Sequence, residues 1–290
     1  MKESGSDRIF KGFTVAVIML VTLSCLLPFL YIIAMSFSNK NAVLRNEVFL
    51  WPVNFDLTAY KAVFNSNSLM HSMWFSLGLT AVYTCVSLFV TVLCAYPLSR
   101  SHLVMKKPLL IYVLITMYFS GGMIPIFLNI RDLGLLDNFW VLVLPGCLST
   151  YNMILMRSFF YAMPKELEES AFVDGATDLT VLVRIILPLS KAMLATIGLF
   201  YAVSRWNGFM DSLLYVNKES MFTIQVRLRQ LIQSSQVSQL MEDIPEYKND
   251  LISETIKSAC LVFSMIPVMM LYPWLQRYFV KGVMIGSIKG

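Results

Sequence analysis

The densest chemistry in this chain is acidic. Glu166, Glu168, Glu169, Asp174 and Asp178, five of its eighteen acids, fall in the stretch MPKELEESAFVDGATDLTVLVRIILPLSKA, residues 163–192. No catalytic set converges on them. The two histidines, His71 and His102, belong to different loops. The five cysteines (Cys25, Cys85, Cys94, Cys147, Cys260) lie inside apolar runs without metal-ligand spacing, and they read as small core residues. There is no GxxxxGK[ST] loop to cradle ATP phosphates, and no GxSxG or HExxH, so this chain has no recognisable seat for nucleotide hydrolysis or for serine or zinc catalysis. What remains for the carboxylates is electrostatic. They form either a charged face offered to a partner or a solvated connector.

Local chemistry shapes the acidic run into a bent hook. Pro164 suits a first helical turn, where no N–H partner is needed. Glu166, Glu168 and Glu169 follow, where negative charge meets the positive end of a helix. Leu167, Ala171 and Phe172 share a face at i, i+4 and i+5. Asp174-Gly175 breaks the helix, with Gly175 free to take a positive φ. Thr177 caps a second helix and Asp178 sits in its first turn. An amphipathic hook of this kind suits a groove on another protein.

The elements that carry the hook are apolar. Of 290 residues, 57% are hydrophobic and 14% charged, against about 25% charged in a soluble domain. Mean hydropathy is +0.66 and the pI about 8.9. The basic residues are scattered through short loops rather than forming a stripe, which excludes nucleic acid as the partner. A spanning helix needs about 20 mostly apolar residues. Six segments qualify, at 13–38, 72–98, 109–130, 139–162, 182–206 and 255–275. The expected fold is therefore an all-α integral membrane protein with six transmembrane helices. The first segment is too long for a secretory signal and ends in MSFSN without a cleavage site.

Lys2, Arg8 and Lys11 precede the first span, Arg100, Lys106 and Lys107 crowd the second loop, and Arg277, Lys281 and Lys289 follow the last span. The positive-inside rule then puts both termini in the cytoplasm. It also puts the hook at 163–181 inside and the loops at 39–71 and 207–254 outside. No Asp or Glu lies within any of the six spans. An ion-coupled carrier usually keeps a carboxylate at membrane depth, so energy is expected to enter from outside the bilayer. The in-span bases Arg157, Arg184, Lys191, Arg205 and Lys257 sit mostly near span ends, where side chains snorkel. Gly121-Gly122 and Pro125 mark a kink in span three, either lining a cavity or packing helices through small residues.

Glu169-Ser170-Ala171, Asp174-Gly175-Ala176 and Ile186-Leu187-Pro188 together resemble the EAA loop of ABC importer permeases. Ser170, Leu182 and Ala192 depart mildly from that pattern. The resemblance extends over nearly the whole chain. Phe55-Asp56-Leu57 with Ala59-Tyr60 resembles the outer-loop signature before span two. Ala95-Tyr96-Pro97-Leu98-Ser99-Arg100 and Trp206-Asn207 resemble the closes of spans two and five, and Tyr278-Phe279-Val280-Lys281-Gly282 is a typical ending. The chain looks like the smaller-permease branch of the maltose-type carbohydrate importers. GGMIP at 121–125 and MRSFFYAMPKELEESAFVDGA look closest to permeases for complex or acidic oligosaccharides.

That resemblance implies a type I ABC importer permease fold. Its parts would be a cytoplasmic tail at 1–12, a first helix and outer loop at 13–67, a transmembrane core at 68–275 and a cytoplasmic tail at 276–290. The coupling helix, about 163–178, would dock on an ATP-binding subunit through Glu168, Glu169, Ser170, Ala171, Asp174, Gly175 and Ala176, with Glu169 pairing a basic residue there. No cofactor is implied on this chain, since ATP and Mg would sit on the ATPase. The implied partners are a second homologous permease, two ATP-binding subunits, an extracytoplasmic sugar-binding protein and the lipid bilayer. Tyr118, Tyr151, Asn152, Tyr201, Trp206 and Asn207 are candidate sugar contacts, although aromatics near span ends also serve as belt residues. The segment at 207–254, polar from Gln233 to Gln239, could face the binding protein or stay disordered. Two other classes compete. A secondary ion-coupled transporter would usually show an internal repeat. A membrane enzyme would need a convergent nucleophile, base or metal set. Neither is evident.

Overall fold

A computed structural model describes residues 5–100, 103–240 and 254–287, with side chains described for 10–100, 103–233 and 254–271. His102, the side chains of Lys2, Arg8, Arg277, Lys281 and Lys289, those of the Tyr278–Gly282 ending, and the stretch 241–253 lie outside what is described. All regular structure among the described residues is helical. Two compact units divide the chain, Met1–Met70 with Arg227–Ile266, and His71–Val226 with Pro267–Gly290.

In the first unit, α1 (Gly5–Ser36) contains the most apolar stretch, Phe10–Ser36, whose most apolar window has a mean hydropathy of 2.5 and no side chain buried in the isolated chain. A helix apolar all round belongs in lipid or against another chain. Its end is fastened by the segment that follows. After α2 (Lys40–Leu44), Phe55 stacks on Phe37 at 5.5 Å and Tyr60, on α3 (Thr58–Asn65), stacks on the same ring at 4.7 Å. The Ser36 and Tyr60 hydroxyls lie 2.9 Å apart, and the Asp56 N–H donates to the Phe37 carbonyl at 2.9 Å. Phe55, Asp56 and Tyr60, picked out as a signature in the sequence, thus close the first span.

The second unit is organised around α4 (Asn67–Ser99), which enters it at His71. Around it pack α7 (Thr150–Tyr161) and α11 (Lys191–Asn207), through Leu79, Met153, Met156, Phe160, Ile197 and Tyr201. The buried Tyr201 hydroxyl lies 2.7 Å from Thr91 Oγ1 and accepts the Ser149 N–H at 3.0 Å, which ties the three helices at one point. Gly198 lets α11 approach α4 closely, since a Cβ there would meet Leu88 Cδ1 at 3.2 Å.

Among the described residues three helices are long and apolar enough to cross a membrane: Phe10–Ser36, Asn67–Ser99 and Glu254–Leu271, the last within α14 (Glu254–Ser287). Two further pairs qualify only as broken spans. The six-helix expectation is therefore met in part, and each departure has a local cause. Span three divides into α5 (Lys106–Tyr118) and α6 (Met123–Asp132), bent by 112°. Gly122 takes φ +86 at the break and nothing lies within 4 Å of a Cβ built there. Its glycine serves backbone conformation, not close packing within this chain. Span four is not one helix. Phe139–Leu142 forms a 3-10 turn capped by Asn138, Pro145-Gly146 interrupts, and Ser149 caps α7, which is only 12 residues long. Span five begins at Lys191, because the preceding helical stretch Asp178–Leu189 meets α11 at 82°. Pro188 cannot donate to the backbone ladder, and residues Leu182–Ile186 adopt a π turn just before it.

The predicted loop after span five is also more ordered than its polarity suggested. It contains α12 (Met210–Tyr215), a 3-10 turn at Glu219–Met221 and α13 (Ile224–Leu240). Asp137 pins its beginning. The Asp137 carboxylate accepts the backbone N–H of Asn217 at 2.5 Å and that of Lys218 at 3.2 Å, and its own N–H donates to the Tyr215 carbonyl at 3.0 Å. The Asn217 N–H, more than any other group, holds the Asp137 carboxyl below its ordinary 3.8. A carboxyl lowered in the folded state stabilises above its unfolded value and loses that contribution as pH falls through the folded one. The clamp is thus complete at neutral pH and fails only in acid. After correction for intrinsic rates, amide exchange at Asn217 and Lys218 should speed up below pH ~3.8 in the native protein. In Asp137→Ala it should already be fast at neutral pH. Equal protection in both proteins at pH 7 would remove the clamp.

The cysteines only partly match their sequence reading. Cys260 is buried and Cys94 and Cys147 half-buried, but Cys25 and Cys85 are exposed in the isolated chain, on helices with lipid-facing chemistry.

Candidate functional site

The hook forms as its residues dictate. Its first arm, α8 (Glu166–Val173), starts after Lys165, which accepts the Glu168 and Glu169 N–H groups at 2.9 and 3.0 Å. Pro164 stands just ahead of the helix rather than in its first turn. The arm ends in a Schellman motif. The Gly175 N–H donates to the Phe172 carbonyl at 3.0 Å and the Ala176 N–H to the Ala171 carbonyl at 2.9 Å. Gly175 takes φ +81, the left-handed conformation this cap requires. Thr177 then caps the second arm, α9 (Asp178–Val181), accepting the Thr180 N–H at 3.3 Å. The second arm runs on through the π turn and α10 (Leu187–Leu189) to the bend at Ser190.

The carboxylates do not share one fate. Glu168 and Ala171 are buried against the rest of the chain, and Glu168 forms an ion pair with Arg100 at the end of α4. Glu169, Ser170, Asp174 and Gly175 are exposed, and Ala176 is half-buried. The apolar face expected from Leu167, Ala171 and Phe172 divides accordingly. Ala171 turns inward beside Glu168, whereas Leu167 and Phe172 are about 40% exposed and Val173 is 87% exposed. Leu179 and Val183 on the second arm are exposed too. The outward side of the hook thus combines bare apolar side chains with Glu169 and Asp174. Apolar side chains left bare beside charge make this side a candidate for contact with another chain.

A second site lies where α11 ends. A cavity of about 500 Å³ is lined by Tyr83, Gly146, Arg205, Asn207, Asp211 and Tyr215, among others. Arg205 is buried and organises its wall. It donates to the Leu142 carbonyl at 3.0 Å and the Gly208 carbonyl at 3.3 Å, grips both oxygens of Asp211, and lies 5.6 Å from the Tyr83 ring centre. Among the described residues its Nε–H has no partner. The guanidinium that reads as a snorkelling base in the sequence is instead held inside by a carboxylate six residues on. Tyr83 donates to the Gly146 carbonyl at 2.6 Å, and a Cβ at Gly146 would meet that hydroxyl at 3.1 Å. Aromatic faces, an amide and a neutralised ion pair are groups suited to hydroxyl-rich ligands.

The six candidate sugar contacts are scattered. Asn207 lines this cavity. Tyr201 is buried behind it, its ring edge-on to Tyr83 at 6.0 Å. Trp206 points into a separate apolar recess of about 360 Å³ with Leu77, Val203 and Pro267. Asn152 is buried, while Tyr118 and Tyr151 are exposed at 77% and 55%. Tyr83, Asp211 and Tyr215 were missed. An Arg–x5–Asp spacing across the span's end was the one signal that could have raised two of the cavity's residues. Among the described residues no group of three His, Cys, Asp or Glu side chains could hold a metal ion.

A family model for the binding-protein-dependent transport system inner membrane component matches residues 5–285. The chain belongs to this family. It is a permease subunit of an ABC importer, in which ATP hydrolysis is the work of a separate subunit, and it resides in a membrane. The permease is 41% identical to the polygalacturonan/rhamnogalacturonan transport system permease protein YtcP of Bacillus subtilis, over 100% of both chains. It is also 41% identical to protein LplC of the same organism, over 100% of this chain and 98% of LplC. Among solved structures it is similar to a chain of a bacterial ABC transporter involved in the import of the acidic polysaccharide alginate. That match has a TM-score of 0.87 and 36% identity, covering 96% of this permease and 99% of that chain. The ABC importer reading thus prevails over the secondary carrier and the membrane enzyme.

Proposed function

We propose that this permease forms half of the pathway by which an ATP-driven importer takes up an acidic oligosaccharide, and that the hook couples it to the ATP-binding subunits. The observation that carries the substrate class is the agreement of two full-length relatives. One is named for polygalacturonan and rhamnogalacturonan, and the other serves alginate import. Polygalacturonan and alginate are polymers of uronic acids, and rhamnogalacturonan contains them. The basis for the coupling role is the outward side of the hook, where Glu169 and Asp174 flank bare Leu167, Phe172 and Val173. Such a surface suits an ATPase groove that is apolar at its floor and basic at its rim. ATP and Mg bind on that partner, and closure of the ATPase pair moves the hook. The permease responds because nucleotide makes different contacts in the two states.

In this reading a second permease completes the pathway and an extracytoplasmic binding protein delivers the sugar. The tails at 1–12 and 276–290 and the hook lie in the cytoplasm, with 13–67 and the core at 68–275 between the tails. The cavity beside Arg205 opens at the opposite end of α11 from the hook, on the side where sugar arrives. Its wall carries no net charge, because Asp211 neutralises Arg205. It therefore offers hydrogen bonds and ring faces to the hydroxyl groups of the sugar rather than a cation to a uronate.

The test is uptake by the assembled transporter, with both permeases, the ATPase and the binding protein, in vesicles. ATP-dependent uptake of trigalacturonate should exceed that of maltotriose by about tenfold or more, the discrimination that a single charged contact, made here by the binding protein that delivers the sugar, supplies. Preference for the neutral trisaccharide would reverse the assignment of substrate class.

A further inference from the structure

Docking on an ATPase leaves one feature of the hook without a role. Glu168 is turned away from the partner-facing side and buried against Arg100, their side chains 10% and 8% exposed. The pair belongs to a larger attachment. Tyr96, one turn before Arg100 on α4, donates its hydroxyl to the Asp178 carbonyl at 3.3 Å. The Tyr96 ring lies 4.5 Å from the Arg100 guanidinium. The last turn of α4 therefore holds both arms of the hook, α8 through Glu168 and α9 through Asp178, on either side of the Gly175 bend. That turn is itself anchored. Arg157 on α7 donates through Nε to the Leu98 carbonyl at 2.9 Å, and Lys106 Nζ donates to the Arg100 carbonyl at 3.0 Å.

We propose that Arg100 and Glu168 are a positioning pair that passes displacement of the hook directly to α4, so that span two is driven together with α11. The inference rests on the hook being the docking element. Two physical arguments support it. First, the covalent route from the hook to α11 passes through the 82° bend at Ser190, a joint that can absorb rotation, whereas the ion pair joins the hook to α4 with no intervening chain. Second, a buried ion pair is geometrically demanding and strongly resists separation, unlike an exposed one that water and salt loosen. Among the described residues Arg100 Nε and Nη2 have no hydrogen-bond partner, and Glu168 and the Tyr96 ring hold this guanidinium. A neutral side chain at 168 would remove the charge pairing that ties α8 to the end of α4.

The test uses the complete transporter in vesicles. Cys85, exposed on α4, is kept as the only cysteine in this permease, and Cys introduced at Ser204, exposed on α11, serves as a second reporter in its place. The readout is the change in mobility of a spin label, attached to the cysteine in detergent before reconstitution, on addition of ATP and Mg. In Glu168→Gln and Arg100→Gln, the ATPase should still co-purify and the Ser204 position should still respond. The Cys85 response should fall about tenfold, in keeping with the sensitivity of coupled geometry to small misplacements. The double variant Arg100→Glu/Glu168→Arg should regain it. A merely structural role would affect both reporters alike or neither. The proposal is overturned by a Cys85 response that survives in the single variants, by its absence in the native protein, or by equal loss at both reporters. If a single variant fails to assemble, the double variant decides. Assembly with a Cys85 response supports the pair, and any other result overturns it. Failure of the docking reading looks different, because Glu169→Lys would then retain both the bound ATPase and both responses.

Discussion

Glu169→Lys should abolish uptake while leaving the permease folded and in the membrane. Glu169 is exposed on the outward side of α8, and substitutions at such positions usually change stability by less than about 0.5 kcal/mol. The effect must then come from the partner. Against a basic groove rim the reversal turns attraction into like-charge repulsion, which costs several kcal/mol where the contact is desolvated. At about 1.4 kcal/mol per tenfold, a penalty near 3 kcal/mol lowers ATPase occupancy and uptake about a hundredfold. Glu169→Gln removes the attraction without adding repulsion and should fall between the two. The measurements are uptake in vesicles, co-purification of the ATPase, and the amount of permease in the membrane fraction. Uptake at the native rate with Lys at 169 would separate the hook from the ATPase altogether.

Much of this hook could be read directly from the chain. Gly175 and Thr177 act through the backbone within a few residues of themselves, so their chemistry fixes the Schellman bend and the second cap wherever the hook is placed. The same holds for Gly122 in the break of span three. What could not be read from spacing is which carboxylate is turned inward. Glu168 and Glu169 are adjacent, chemically alike and equally suited to the first turn of a helix. Only the position of Arg100, 68 residues earlier at the end of α4, turns one of them inward. An apolar face assigned by spacing alone fails for the same reason. Ala171 is drawn in beside Glu168, and Leu167 and Phe172 are left outside.

Spans show a similar limit. Hydropathy finds apolar length, but it does not tell a straight helix from a broken one whose freed backbone groups are met by neighbours. In span four the missing helical bonds around Pro145-Gly146 are made up locally. Asn138 and Ser149 cap the flanking turns, and the Tyr83 hydroxyl takes the Gly146 carbonyl. That hydroxyl comes from α4, more than sixty residues away in sequence. The apolar run at 139–162 therefore satisfies a hydropathy criterion and still does not form one continuous helix.

Arg205→Met should be the most destabilising single change in the second unit outside its apolar core. The guanidinium supplies four hydrogen bonds, to the carbonyls of Leu142 and Gly208 and to both oxygens of Asp211. Methionine fills comparable space but returns none of them. Two carbonyls lose a donor and Asp211 is left beside a cavity without its counter-charge. Removing one member of a buried pair costs about 3–5 kcal/mol. The Asp211 side chain is 31% exposed, so water recovers part of this, and about 2–4 kcal/mol is expected. The apparent melting midpoint of the purified transporter should drop by roughly 5 °C or more. Asp211→Asn gives the discriminating comparison. It keeps an acceptor for Arg205 and most of the shape, so the fold should suffer less, but it leaves the cavity wall with a net positive charge. If the sugar passes this wall, Asp211→Asn should raise the relative uptake of trigalacturonate over a neutral trisaccharide, because an unpaired guanidinium attracts a uronate. An unchanged preference together with the expected melting shift would confine Arg205 and Asp211 to holding α11, α12 and the 3-10 turn at Phe139–Leu142 together.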